Sequence, residues 1–303
     1  MKITTHMHWK KQYVLGVGSN GPVYLATPFS AKNYLKIVAV KSAEVDKEES
    51  FVLQKEGKIL NQLKGSPYII QCFGEDQSVE YARWTYNLLL ECAPSGTLRD
   101  LILFNGRILE SEAARYAYQL LMGLRHIHNK GFCHGDIKLS NILVFQSNKS
   151  VKIADFGSAK EVTSRKHLVF DVCSVGCIVA KMLTGNPTWF GGEIEKYQRE
   201  IYGCDTNNEE FMDNSVSMMA KYFVINCLLC NFTGRLLNLD TLINHPFIQN
   251  AISTCEISIP SIVNDNPFGD YWVSERHLFT TTCEEWKAKI RRSINDKRAA
   301  RCT

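Results

Sequence analysis

The run His134-Gly135-Asp136-Ile137-Lys138-Leu139-Ser140-Asn141, followed by Asp155-Phe156-Gly157, places a carboxylate, a cation, an amide and a second carboxylate within one short stretch. Asp136 can accept the proton of an attacking hydroxyl, and Lys138 can balance negative charge on a group in transfer. The oxygens of Asn141 and Asp155 suit a hard cation such as Mg²⁺, where Cys or His would not. Together they form the set that moving a phosphoryl group requires. Taken singly, each has a plainer use: Asp136 as a turn former, Asn141 as a cap, Asp155-Phe156-Gly157 as a hairpin turn.

The groups upstream narrow the choice by their order. Gly16, Gly18 and Gly21 lie between two apolar runs and fit a strand-turn-strand whose backbone N–H groups approach phosphate oxygens. A dinucleotide fold also uses GxGxxG but expects a helix straight after it, and Pro22-Val23-Tyr24-Leu25-Ala26 reads as strand. Lys41 ends the β-branched run Ile37-Val38-Ala39-Val40, where a cation is costly to bury without an anionic partner. Glu56 is the natural partner, on a helical stretch where Val52, Ile59 and Leu63 share its face. Its alternative is an ordinary surface charge on a solvated helix.

The elements that must carry these groups follow from periodicity. Leu88-Leu89-Leu90-Glu91-Cys92-Ala93 reads as a buried strand stopping at Pro94-Ser95-Gly96, before a short helix. Ala113, Ala117, Leu120, Leu121, Leu124 and Ile127 recur at helical intervals across Glu110 to Asn129, with Gly131 as the stop. That helix delivers the loop bearing Asp136.

In this order the motifs resemble the eukaryotic protein kinases over about Trp9 to Ile248, and Lys138 resembles the serine/threonine branch. The run Glu91 to Leu98, with Asp155 to Lys160, is similar to plant mitogen-activated protein kinase kinase kinases of the MEKK-like group. The resemblance implies an α+β, bilobal protein kinase-like fold, with a small antiparallel β-rich N-lobe at about 9–91 and a larger, mainly helical C-lobe at about 94–248. Residues 249–303 follow as a C-terminal tail. It implies ATP and Mg²⁺ as cofactors, with Asp136 and Lys138 catalytic and Asn141 and Asp155 on the metal. ATP would meet Gly16, Gly18, Gly21, Val23, Ala39, Lys41 and Glu56, with Leu90 as gatekeeper and the backbone of Glu91 and Ala93 on the base. The implied activity is transfer of the ATP γ-phosphoryl group to protein Ser/Thr hydroxyls, with a MAP kinase kinase as the protein partner.

The chain departs from the family pattern after Gly157. Only Ser158 to Phe170 separate it from Asp171, which would brace the catalytic loop, and this stretch contains neither an Ala-Pro-Glu triplet nor a Gly-Thr-Pro segment. Those elements form the platform for the substrate peptide, and the triplet's Glu is the partner that the pattern gives Arg235. The alternative function is therefore a nucleotide-binding, pseudokinase-like interaction module with impaired transfer. Gly135 replaces the Arg that usually receives an activating phosphate, and Thr163 and Ser164 read as loop hydroxyls.

Length and composition bound the rest. The 303 residues are 45% hydrophobic, enough for two lobes, and the net charge of +4 gives no argument for a nucleic-acid partner. Eleven Cys without an apolar leader point to reduced thiols, in the cytoplasm with the nucleus also open. Cys227 and Cys230 have CxxC spacing but sit in an apolar, helix-compatible run, which favours a core role. No apolar run reads as a membrane span, and oligomeric state is not legible.

Overall fold

The computed structural model describes residues 9–18, 20–28, 37–145, 149–185, 215–229 and 238–254. They fall into two compact units. One takes the chain up to Ser95 together with Ala154–Ala159, and the other takes Gly96–Ile153 and the described residues from Lys160 onwards. Among the described residues the first is a β-sheet with one α-helix and the second is mainly helical, the α+β division expected.

In the first unit, strands β1 (Trp9–Gly18), β2 (Gly21–Pro28), β3 (Val38–Glu44), β4 (Cys72–Glu80) and β5 (Arg83–Leu90) form an antiparallel sheet of order β1-β2-β3-β5-β4. Strand alternation sorts its side chains into two faces. Ala26, Val38, Val40 and Leu89 form a buried cluster with Trp9 and Phe73 on one. Val23 pairs with Lys41, Leu25 with Ala39, Lys41 with Leu88 and Ala39 with Leu90, so these share the other face. Helix α1 (Glu48–Gln62) packs there, burying Leu53, Glu56, Ile59 and Leu60. The strand expected through Ala93 ends at Leu90, where pairing with β3 and β4 also ends.

In the second unit, a Thr97/Asp100 capping box starts helix α2 (Leu98–Asn105), satisfying two otherwise orphan N–H groups. Helix α3 (Glu110–Asn129) has the expected bounds. Short strands β6 (Phe132–Cys133), β7 (Ile142–Phe145) and β8 (Ser150–Ile153) follow, then β9 (Lys160–Glu161) and helix α4 (Arg165–Thr184). Helices α5 (Met218–Leu229), α6 (Leu239–Ile243) and α7 (Pro246–Thr254) complete the described residues.

Helix α4 has the length and apolar composition of a membrane span, but 72% of its apolar window is buried within the protein. It packs on α3 and α5, as a core helix that is apolar nearly all round must. Cys227 is fully buried opposite α4 and its carbonyl accepts from Cys173 Sγ, a core role as expected. Cys230, Arg235 and, in the C-terminal tail, the basic cluster Lys287 to Arg301, which reads as solvated, and the aromatics Trp272 and Phe279 lie outside the described residues.

Lys181 is a cation within this core, only 6% exposed. Burial pulls its ammonium down to about 8 from the ordinary 10.5. The folded state thus binds this proton less tightly than the unfolded chain, so the lysine lowers stability below about pH 8, and the penalty fades as pH rises towards 10.5. Lys181→Met is expected to raise the melting temperature at pH 7. Thermal scans at pH 7 and pH 10 should show that gain shrinking; an equal gain at both would mean the charge is not the cause.

Candidate active site

In the β-rich unit, Lys41 Nζ lies 2.7 Å from Glu56 Oε2 and 2.7 Å from Asp155 Oδ1. Lys41 and Glu56 are 4% and 1% exposed, a degree of burial these residues rarely reach unless paired. Burial works to lower the Lys41 pKa, but Glu56 and then Asp155 more than offset it and hold the ammonium above its ordinary value. Burial pushes the Glu56 carboxyl up, and Lys41 opposes that only in part. Glu56 Oε1 also accepts from the Phe156 N–H at 3.1 Å, so one side chain of α1 holds both the cation and the backbone beside Asp155. Asp155 is left-handed, with φ 65°, a conformation Asp tolerates better than most residues.

The remaining nucleotide candidates of this unit take their places along the sheet. Gly16 and Gly18 end β1, Gly21 opens β2, and Val23 and Ala39 share the face of Lys41. Leu90 is buried at the end of β5, and the chain leaves the sheet at Glu91. The Glu91 N–H donates to Gln71 O at 2.9 Å. Ala93 sits in the half-buried stretch that follows.

In the helical unit, Asp136 Oδ2 accepts from Lys138 Nζ at 2.6 Å and from Asn141 Nδ2 at 3.0 Å. Asn141 Nδ2 also donates to Asp136 O at 2.9 Å. Both cation and amide are thus gathered on one carboxylate oxygen of Asp136. The amide nitrogen of Asn141 is engaged inside its own loop. The donor chemistry of Asn141 and of Asp155, each an oxygen on a short loop, fits Mg²⁺.

Asp171 braces this loop from below. Its Oδ2 accepts from His134 N and its Oδ1 from Gly135 N, each at 2.9 Å, and His128 Nε2 lies 2.9 Å from Oδ2. Two backbone donors and an imidazole satisfy a carboxylate only 1% exposed. Gly135 has φ 76°, so the residue that stands where an Arg was expected also occupies a left-handed position that suits Gly. His128 was not anticipated; its only sequence signal is a place in the last turn of α3, just ahead of the loop.

The stretch after Gly157 is shorter as a loop than the sequence suggests. Phe156–Ser158 form a 3₁₀ turn, Lys160 and Glu161 pair with Cys133 and Phe132, and Val162 N donates to Gly131 O at 2.8 Å. Ser164 then caps α4 through its Oγ, so Arg165 to Phe170 are already helical. This corrects the reading of Ser164 as a plain loop hydroxyl. The whole link is spent on holding β6 and starting α4, which leaves no separate peptide platform between Gly157 and Asp171.

Residues 9–170 match the family model described as protein kinase domain. The chain is 35% identical to mitogen-activated protein kinase kinase kinase 18 of Arabidopsis thaliana, covering 86% of this chain and 85% of that one. It is 32% identical to mitogen-activated protein kinase kinase kinase 17 of the same plant, over 86% of this chain and 75% of the relative. For kinase kinase kinase 20, also from Arabidopsis thaliana, the identity is 32%, over 80% and 78%.

Proposed function

The chain belongs to the protein kinase family as a serine/threonine kinase, and from that premise we propose that it transfers the γ-phosphoryl group of Mg²⁺-ATP to a MAP kinase kinase, acting as a MAP kinase kinase kinase. The observation that carries the nucleotide half is the buried Lys41 shared by Glu56 and Asp155 at 2.7 Å each. A cation so fixed meets the α- and β-phosphates without paying for reorganisation at the moment of reaction. Its relatives' names supply the substrate class.

In this reading the domain runs over 9–248. Gly16, Gly18 and Gly21 approach the phosphates, Val23, Ala39 and Leu90 line the base, and the backbone of Glu91 and Ala93 hydrogen-bonds it. Asp155 and Asn141 would hold Mg²⁺ through their side-chain oxygens, and the ion would supply neutralisation of charge on the phosphates. Asp136 takes the proton of the Ser or Thr hydroxyl as that oxygen attacks the γ-phosphorus, the bond to the β,γ-bridging oxygen breaks and ADP leaves, while Lys138 balances charge on the group in transfer. The interaction-module alternative is not favoured: Asp171 and His128 hold the catalytic loop in place without help from a long activation segment.

Mg²⁺-ATP at millimolar concentration is expected to raise the melting temperature, by binding linkage of a few kcal/mol for a site much tighter than that concentration. Asp155→Ala should abolish most of the shift. Thermal scans with and without nucleotide decide it, and a wild-type chain that shows no shift contradicts the nucleotide reading.

A further inference from the structure

The glycine turn holds a side chain that no part of the site described so far uses. Asn20 lies between Gly18 and Gly21, which face each other in the β1–β2 register. Its Nδ2 occupies the place where a Cβ on Gly157 would stand, with its Cγ 3.3 Å and Val52 Cγ1 3.2 Å from that point. Gly157 thus accommodates Asn20 because it has no side chain of its own. On the other leg of the turn, Gly21 has φ +106°, and a Cβ there would run into the Ser42 carbonyl. Ser42 follows Lys41, so the turn is seated between the strand of Lys41 and the segment of Asp155. Among the described residues the Asn20 amide makes no hydrogen bond, although the residue is half-buried and sits on Gly157, two residues after Asp155.

We propose that Asn20 is a further phosphate-binding residue: seated on Gly157, its amide N–H groups donate to the phosphoryl oxygens of the nucleotide that Lys41 meets. The glycine backbone of the turn and the Asn20 side chain then act from one element, and contact with Gly157 sets the height of the turn above Asp155. A neutral amide suits this place. A carboxylate there would add repulsion against both Asp155 and the phosphates, while a side chain without donors would leave the phosphate oxygens to water. The inference rests on the nucleotide reading of the Lys41 site.

The test is equilibrium binding of Mg²⁺-ATP and of adenosine to the full chain and its variants. Asn20→Ala is expected to weaken Mg²⁺-ATP about tenfold and leave adenosine unchanged, since a hydrogen bond to a charged partner is worth about one such factor or more. Asn20→Ser, which keeps a donor, should recover part of the loss, and Asn20→Asp should bind Mg²⁺-ATP more weakly than Asn20→Ala. Gly157→Ala, which pushes the amide off its seat, should reproduce the Asn20→Ala profile. Unchanged Mg²⁺-ATP affinity in Asn20→Ala, or an equal loss for adenosine, overturns the proposal while the Lys41 reading stands. A wild-type chain that binds adenosine but gains nothing from the phosphates overturns both.

Discussion

Lys41→Met is expected to lower folding stability by roughly 3–5 kcal/mol, because it leaves Glu56, 1% exposed, as a buried carboxylate without its cation. The same change should reduce phosphate transfer by roughly 10²–10³-fold, the usual effect of removing one fixed donor from a developing charge. The two losses separate with pH. Burial already raises the Glu56 pKa above 4.5, and without Lys41 it rises further. A group whose folded pKa is raised contributes stability below its unfolded value and loses it as pH rises through the folded one. The stability deficit of Lys41→Met should therefore be largest at neutral pH and shrink towards pH 4.5. Denaturant titrations at pH 7 and pH 5 measure it, and a deficit independent of pH would mean that the cost comes from packing and not from the stranded charge.

The parts of the site that were legible in the sequence are those set by local pattern and order. The α3 periodicity, closed by Gly131 with φ 81°, placed the loop of Asp136, and the β-branched run into Lys41 with the face of Glu56 anticipated their pairing. The second partner of Lys41 was not anticipated, because Asp155 is 114 residues away and only the tertiary fold brings the two together. The same holds for His128 and Asp171, joined across 43 residues.

The link after Gly157 was misread for a physical reason. Arg165, Lys166 and His167 put cationic or basic groups in the first turn of α4, where the helix dipole disfavours them, so the stretch looks like loop. The Ser164 cap and the buried Val169, Asp171 and Val172 outweigh that term. With β9 paired and α4 begun so early, few residues of the link stay outside secondary structure, and Gly135 stands where an Arg would receive a phosphate.

The most direct test of the account is transfer of phosphate from Mg²⁺-ATP to a kinase-dead MAP kinase kinase, comparing the wild-type chain with Asp136→Ala. Asp136 touches the reacting hydroxyl in this mechanism, while Lys138 and Asn141 converge on its Oδ2. Losing a general base of this type should lower the rate roughly 10²–10⁴-fold. The account predicts measurable transfer by the wild type, a loss of that size in Asp136→Ala, and nucleotide-induced stabilisation equal in both. Equal transfer by the two proteins, or no transfer by a wild type that binds Mg²⁺-ATP, would contradict it.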